Sequence, residues 1–361
     1  ALAALGIGGA VWSSMLMFVI GTLMAVQPSV AQLDGADMKS EAAYQTRQAF
    51  WIALALGVPY WFLCYFSEPL LTAFKIDPAI VPQAAGYLRA ISWGAPGLCL
   101  VLLLRYFSEG TGNTKPTMFY GVAGALVNIP INYVLMFGKL GFPALGTVGC
   151  GYATSIVVWL QFLFLLGYIA THRHYRPFSL MSRLELPDIK TILGLLKIGL
   201  PIAVAIAVEG SLFVGAALLI GRLGPVPAAA HLIAINFAAL VFMIPIGLSS
   251  AISIRVGNAL GRGEPESARY AGRIGLLIIL GFQTVSALMM FLFPELIVRI
   301  YTDDVAVGSL AVSLLFYAAI FQYPDGILIV MAGSLGGYND TSMHMLYTMF
   351  DFWIVVMTLG Y

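Results

Sequence analysis

Residues 319–334 read AIFQYPDGILIVMAGS, an apolar run that carries one acid, Asp325, between Pro324 and Gly326. The run ends a longer apolar segment, 305–334, and roughly 20 such residues are enough to cross the ~30 Å hydrocarbon core of a bilayer. A charged side chain at the bilayer centre costs about 2.5–3.5 kcal/mol on insertion scales. The stretch therefore predicts a membrane helix that holds a carboxylate inside its span.

The composition extends this conclusion to the whole chain. Its 361 residues are 60% hydrophobic and 10% charged, with a mean hydropathy of +0.92, whereas a soluble domain carries about 25% charged residues. The net charge of +1 gives no basis for nucleic-acid binding through bulk charge. Cys64, Cys99 and Cys150 lie in separate apolar segments without CxxC spacing, as expected of small buried hydrophobes.

Apolar runs alternate along the chain with short polar breaks rich in Gly, Pro, Asp and Asn, which is typical of membrane helices joined by turns. No segment shows the alternating pattern of barrel strands. The sequence thus predicts an all-α polytopic membrane protein. The predicted helices are 1–32, 46–67, 79–108, 117–138, 148–171, 188–221, 227–258, 269–293, 305–334 and 342–361.

The basic residues divide unevenly between the two sides of the predicted membrane. Thirteen of the 18 Lys and Arg residues fall in breaks on one side, which the positive-inside rule makes cytoplasmic. Residue 1 then starts on the outer side. The polar segment 172–187 becomes a cytoplasmic linker.

The chain contains an internal repeat. Residues 1–115 align without a gap to residues 227–341 at an offset of 226, with 23 identities that include Gly, Arg, Tyr, Asp and Asn at loop edges. The offset spans six helices, so both copies insert in the same orientation and are expected to relate by a pseudo-twofold axis along the membrane normal.

The repeat also predicts a division into two lobes, with helices of both lobes expected outside this chain. We predict an N-lobe over 1–171, the linker 172–187 and a C-lobe over 188–361. The counterpart of helix 188–221 would precede residue 1, and counterparts of the helices in 117–171 would extend to residue 397. We therefore expect a protein of two six-helix lobes, of which this chain carries helices two to ten and part of helix eleven.

Three acids lie inside predicted helices: Glu209, Asp325 and Asp351. No Lys or Arg stands three or four residues from any of them, which excludes an intrahelical salt bridge. A proton, a metal ion, a cationic substrate or a hydrogen-bond network is left as the partner. The alternative for each acid is a neutral carboxyl that serves only as a structural hydrogen-bond donor.

Pro324 adds to the signal at Asp325. A proline inside a helix lacks one backbone donor and frees a carbonyl one turn earlier, here near residue 320. A free carbonyl beside a carboxylate is a hard-oxygen environment, suited to Na⁺ or to a proton network. An ordinary packing kink is the alternative.

A second polar site is predicted in the first copy. Asn128 and Asn132 are four residues apart and share a helix face, and Thr154 on the next helix is positioned to join them. Hydrogen bonding that only holds helices together is the alternative. His231, near the outer start of its helix, has either a structural or a proton-linked role.

The sequence lacks a Ser/His/Asp order, an HExxH motif and a P-loop. We therefore predict neither an enzyme nor an ATP-driven pump, and we expect no cofactor other than a coupling ion.

Several motifs resemble those of multidrug and toxic compound extrusion (MATE) transporters of the NorM type, in order along the whole chain. They are PSVAQLDGA (28–36), GNTKP (112–116), NIPINY (128–133), GTVGCGYAT (146–154), GLPIAVAIAVE (199–209), SIRVGNALG (253–261) and PDGILIVMAGSLGGYND (324–340). The resemblance implies a twelve-helix monomeric antiporter of the bacterial inner membrane. It would export cationic, amphipathic compounds in exchange for Na⁺ or H⁺.

The resemblance also implies roles for particular residues. Glu209 and Asp325 match the carboxylate pair of the second lobe, which would bind the proton or, in sodium-coupled members, Na⁺. The first-lobe polar site matches Asn128, Asn132 and Thr154. Its key acid would lie on the first helix, which we expect to be missing from this chain. Phe321 stands where a cation-liganding tyrosine is expected in Na⁺-coupled relatives, and Asp351 is not an acid expected from the family.

Three other functions compete with the antiporter. A lipid-linked flippase with related lobes would need a cationic groove, yet basic residues occur here only near helix boundaries. An ion channel fits the two-lobed repeat with intramembrane acids less well than alternating access does. An intramembrane enzyme lacks any nucleophile–base or metal constellation in this sequence.

Overall fold

The computed structural model describes residues 2–74, 76–183 and 185–350. Every regular element in that part of the chain is a helix, which confirms the all-α prediction. The described residues form two compact units, divided between Ile206 and Ala207 inside one long helix. The predicted linker boundary at 172–187 stays a prediction.

The helices follow the chain in order. The first unit contains α1 Leu2–Met24, α2 Val26–Gly35, α3 Lys39–Tyr65, α4 Glu68–Ala73, α5 Val81–Ser92, α6 Ala95–Gly110, α7 Lys115–Phe137, α8 Thr147–Thr171 and a 3-10 helix, Arg173–Phe178. The division between the units falls within α9 Ile189–Gly221. The second unit continues with α10 Pro225–Gly261, α11 Pro265–Leu292, α12 Pro294–Arg299, α13 Val305–Gly337 and α14 Thr341–Met349.

Eight candidate spans in the described residues are long and apolar enough to cross a membrane, and the α5–α6 pair makes a ninth. They confirm the nine helices predicted between residues 1 and 334. α3 and α11 begin earlier than predicted because their first turns, KSE and PES, are polar and extend each helix beyond its apolar segment. The tenth predicted helix, 342–361, lies mostly outside the described residues.

The membrane span predicted over 79–108 is bent near its middle. α5 and α6 meet at Trp93 and Gly94 with a bend of 46°. Pro96 at the start of α6 has no N–H for the carbonyl of Ser92, and its ring clashes with that carbonyl. The helix therefore cannot run straight through this point.

The helix bounds repeat with the same offset as the sequence. Subtracting 226 from the bounds of α12 gives 68–73, the bounds of α4, and α11 becomes 39–66 against Lys39–Tyr65 for α3. The two short helices were not predicted, because six residues are too few to stand out as an apolar run. α13 stays continuous where α5–α6 is broken, and Gln322 stands there at the position equivalent to Pro96.

Small residues allow α10 and α13 of the second unit to approach closely. A Cβ at Gly333 would lie 2.6 Å from Ser249 Oγ and 2.9 Å from the Ser249 carbonyl carbon, and one at Gly337 would lie 2.7 Å from Val256. Ser249 Oγ donates to the Ile329 carbonyl at 2.7 Å. Because lipid is as apolar as the side chains, membrane helices gain little from the hydrophobic effect when they associate, and close van der Waals packing stabilises the pair instead. α11 packs against both helices.

The segment after α8 is fastened to the first unit by its aromatic side chains. Tyr175 and Phe178 are buried. The Tyr175 hydroxyl lies 2.6 Å from Ser108 Oγ and accepts from Asn113 Nδ2 at 3.2 Å. Most of the polar side chains of the 3-10 helix remain exposed, so the two rings anchor this part of the predicted linker.

The residues just before α9 continue this attachment to α3. Arg47 and Glu185 form an ion pair at 2.9 Å, and Gln48 Oε1 accepts from the Asp188 N–H at 2.7 Å. The Thr191 hydroxyl donates to Asp188 at 2.6 Å and lowers the pKa of that carboxyl. Because the pKa of Asp188 is lower in the folded protein, the ionised carboxylate stabilises the folded state above the usual pKa of Asp. This stabilisation is lost as pH falls through the folded-state pKa.

We expect Tyr175→Phe to loosen this segment without unfolding the protein. The variant keeps the buried ring and removes only the hydroxyl, with its hydrogen bonds to Ser108 and Asn113. Each hydrogen bond contributes about 1 kcal/mol, so the opening equilibrium should shift by about five- to thirtyfold. Trypsin should cleave segment 172–187 faster by about that factor, because cleavage follows the population of the open form. An exposed control, Tyr133→Phe, should leave the rate unchanged, and equal rates in both variants would contradict the prediction.

Candidate carboxylate site in the second unit

Glu209 and Asp325, predicted from separate helices, come together in the second unit. Glu209 lies on α9 and Asp325 on α13, both half-buried, and Asp325 is close enough to act electrostatically on Glu209. Within the described part of the chain, Glu209 forms no ion pair with Lys or Arg. The site therefore carries two carboxylates within each other's electrostatic reach and inside membrane-spanning helices.

The backbone around Asp325 is held by two glutamines that the sequence analysis missed. Gln283 of α11 donates from Nε2 to the Gln322 carbonyl. Gln322 in turn donates from Nε2 to the Gln283 carbonyl and to the Ala319 carbonyl, both at 3.2 Å. The signal was available, because an amide inside a membrane helix is costly unless it is paired.

The two aromatic residues nearest Asp325, Phe321 and Tyr323, differ in their contacts. Phe321, one turn before Asp325, is 44% exposed and brings no hydroxyl to the site. Tyr323 donates its hydroxyl to Thr284 Oγ1 of α11 at 3.1 Å. Pro324 lies inside α13, which continues through it as one helix, and the predicted kink stays a prediction.

A metal ion at this site would need ligands other than ionisable side chains. Among the residues that the structure describes, no three His, Cys, Asp or Glu side chains cluster in a way that could hold a metal. Na⁺ accepts carbonyl, amide and water oxygens as well as carboxylates. The two carboxylates fit a cation only together with such neutral oxygens.

The predicted polar site of the first unit is formed in part. Asn132 Nδ2 donates to Asn128 Oδ1 at 2.6 Å and to the Asn128 carbonyl at 3.0 Å, so the two amides do share a helix face. Asn132 Oδ1 is buried without a hydrogen-bond partner in the described residues. Thr154 donates to the Cys150 carbonyl of its own helix at 3.0 Å instead of bonding to either asparagine.

His231 and Asp351, the two further candidates, have no described contact with the carboxylate pair. His231 is half-buried near the start of α10, and no hydrogen bond joins it to Glu209 in the described part of the chain. Asp351 lies outside the described residues. Their predicted roles stay predictions.

A buried charged cluster in the first unit was also missed. Glu109 is 5% exposed, pairs with Arg105 Nε at 2.8 Å and accepts from Gln27 Nε2 at 2.9 Å. The spacing of four residues between Arg105 and Glu109 was the available signal. In the second copy the counterparts of this pair are Met331 and Leu335, so the cluster belongs to one copy only.

Comparison with known proteins agrees with this architecture. The sequence model of the MatE family matches residues 1–134 and 201–361. A multidrug resistance protein named PmpM from Pseudomonas aeruginosa is 42% identical over 361 residues, covering 100% of this chain and 76% of that protein. A probable multidrug resistance protein named NorM from Xanthomonas axonopodis pv. citri is 45% identical over 360 residues, covering 99% and 78%.

Solved structures share the fold at lower identity. A crystal structure of MATE in complex with MaD3S superposes with a TM-score of 0.89 at 20% identity, covering 99% of this chain and 79% of that one. The eukaryotic MATE transporter AtDTX14 gives a TM-score of 0.85 at 19% identity, covering 98% and 78%. The matched family model and the full-length relatives together show that this chain belongs to the MATE family of membrane transporters.

Proposed function

We propose that this protein is a secondary antiporter that exports cationic, amphipathic drugs in exchange for Na⁺ or H⁺. The observation that carries the proposal is the pair of carboxylates, Glu209 and Asp325, within electrostatic reach of each other inside membrane helices. Two negative groups in that position favour a cation or a proton. The names of the relatives, which are multidrug resistance proteins, support the choice of drugs as cargo.

Competition for the carboxylates supplies the coupling. A bound Na⁺ or H⁺ neutralises the site and removes its attraction for a cationic drug, which then leaves on the outer side. Return of the ion to the inner side makes the carboxylates available again. A ligand shifts a conformational equilibrium only by its differential affinity for the two states, and exchange of one cation for another provides that difference.

The remaining assignments follow from the sequence pattern. The protein acts as a monomer in the bacterial inner membrane, with residue 1 on the outer side and the linker 172–187 in the cytoplasm. Asn128, Asn132 and Thr154 form a second polar site in the first lobe. His231 and Asp351 are further candidates for proton-linked groups.

Reconstituted vesicles test the exchange directly. Ethidium movement is followed by fluorescence under an imposed Na⁺ gradient at equal pH, and then under a pH gradient without Na⁺. A tenfold ion gradient is worth about 1.4 kcal/mol, so exchange of one ion should concentrate ethidium by up to about tenfold. Ethidium movement that is the same with and without both gradients would overturn the antiporter.

A further inference from the structure

Gln283 and Gln322 form a reciprocal pair in the second unit. Each side-chain amide donates to the backbone carbonyl of the other residue, so α11 and α13 are joined by two crossed hydrogen bonds. Gln283 is 1% exposed. The pair is therefore a contact between α11 and α13 inside the second unit.

The pair brackets the Pro324 turn of α13, which carries Asp325. Gln322 lies two residues before Pro324, and Gly326 lies two residues after it. A Cβ at Gly326 would lie 2.9 Å from Gln283 Oε1 and closer still to the amide nitrogen, so the glycine leaves the room in which the amide sits. Gln283 thus contacts α13 on both sides of Pro324 and Asp325.

The proline explains why such support is needed. Pro324 has no N–H, so the helix loses one hydrogen bond to the turn before it. Gln322 Nε2 adds a hydrogen bond to the Ala319 carbonyl, which neighbours the Ile320 carbonyl that would otherwise accept from residue 324. Without the two amides, the turn that positions Asp325 would be held by fewer hydrogen bonds than the rest of α13.

The side-chain oxygens of the two glutamines take no part in the crossed hydrogen bonds. Gln283 Oε1 and Gln322 Oε1 are both buried without a hydrogen-bond partner in the described residues. A pair that served helix packing alone would be expected to satisfy both ends of each amide. These two amide oxygens, one on α11 and one on α13, add neutral oxygen acceptors beside the turn that carries Asp325.

We propose that Gln283 and Gln322 are positioning residues of the cation-coupling site. They hold the Pro324 turn so that Asp325 keeps its place relative to Glu209, and they add a polarity that favours a cation there. The inference rests on the proposed antiport function, because it assigns these residues to the carboxylate pair of that mechanism.

The first unit offers a matched control. Gln161 of α8 donates from Nε2 to the Tyr120 carbonyl at 3.3 Å and lies against Gly124 of α7. Tyr120 precedes Gly124 by four residues, just as Gln322 precedes Gly326. The two contacts share their geometry, but the one at Gln161 has no proline or acid beside its glycine.

The test compares Gln283→Met with Gln161→Met in reconstituted vesicles. Ethidium efflux is titrated with Na⁺ at fixed pH, and separately with pH in the absence of Na⁺. We expect Gln283→Met to raise the half-saturating concentration of the coupling ion at least about fivefold, within the usual range of coupling between sites. Gln161→Met should leave that concentration unchanged. Equal half-saturating concentrations in the two variants would overturn the proposal.

A second measurement does not depend on transport or on the methionine variant. A hydrophobic carbodiimide labels intramembrane carboxyls, and mass spectrometry reports how far Na⁺ or alkaline pH changes the labelling of Asp325. Gln283→Glu keeps the size of the side chain but replaces the amide donor to the Gln322 carbonyl by a carboxylate. The midpoint of that labelling, in Na⁺ or H⁺ concentration, should therefore shift by at least about fivefold from that of wild type. An unchanged midpoint in Gln283→Glu would also overturn the proposal.

The two proposals fail in different ways. If wild-type protein shows no ion-driven ethidium movement, the antiporter itself is wrong. If wild type is ion-driven and loses that property in Asp325→Asn, while both Gln283 variants keep the wild-type ion dependence, only the role of the glutamines is wrong.

Discussion

Asp325→Asn should abolish ion-driven drug efflux and leave the protein folded. The substitution keeps the size of the side chain and removes its ionisation, so the site loses one of the two negative groups that a drug and a coupling ion would compete for. Coupling between two ligands is worth about 5- to 150-fold in affinity, and we expect efflux under an ion gradient to fall by more than about tenfold. Ethidium fluorescence in reconstituted vesicles measures this loss.

Asp303→Asn is the control for that experiment. Asp303 is an exposed acid in the loop before α13 of the same unit, so the variant removes an acid without touching the carboxylate pair. Its efflux should equal that of wild type. If Asp325→Asn retains ion-driven efflux at the level of Asp303→Asn, the competition mechanism is incorrect. Glu209→Gln should behave as Asp325→Asn does, since neither carboxylate alone supplies the charge of the pair.

Gly333→Leu should prevent the second unit from folding. Gly333 lies against the backbone of Ser249, so a side chain there meets main-chain atoms of α10 that cannot turn aside. Overpacking in a well-packed interior costs about 1–3 kcal/mol, and a clash with backbone places this variant at the upper end or beyond. Gel filtration of the detergent-solubilised protein should show loss of the monodisperse peak, and any residual folded fraction should melt at a lower temperature.

A glycine in open surroundings provides the comparison. Gly247 of α10 has no neighbouring heavy atom within 4 Å of a Cβ built on it. Gly247→Leu adds the same side chain to a neighbouring helix and should keep the wild-type elution profile. A Gly333→Leu protein that elutes and melts like Gly247→Leu would show that the close approach of α10 and α13 is not required.

The sequence predicted the charged residues of the candidate site but not its glutamines. An acid in an apolar segment stands out in the sequence because insertion into a bilayer is costly, and this singled out Glu209 and Asp325 before any contact was known. The glutamines were not singled out, because an amide carries no net charge and its cost depends on whether another helix supplies a partner. Thr154 is the opposite case: it was predicted to join the two asparagines, but its hydroxyl donates to a carbonyl of its own helix.

The sequence by itself determined the properties that depend on local composition and on repetition. Apolar length decided the membrane spans, and the sequence offset of 226 residues reappears in the observed bounds of α3 and α11 and of α4 and α12. These features survive any packing arrangement, because they arise from the residues of one segment.

The tertiary structure alone decided which side chains meet. It brought Glu209 near Asp325, crossed the amides of Gln283 and Gln322, and closed a charged cluster around Glu109. It also broke α5–α6 while leaving α13 continuous over Pro324. The physical reason is the same in each case: a buried polar group or a kinked backbone is stable only when a neighbouring helix supplies its partner, and the sequence of one helix does not contain that neighbour.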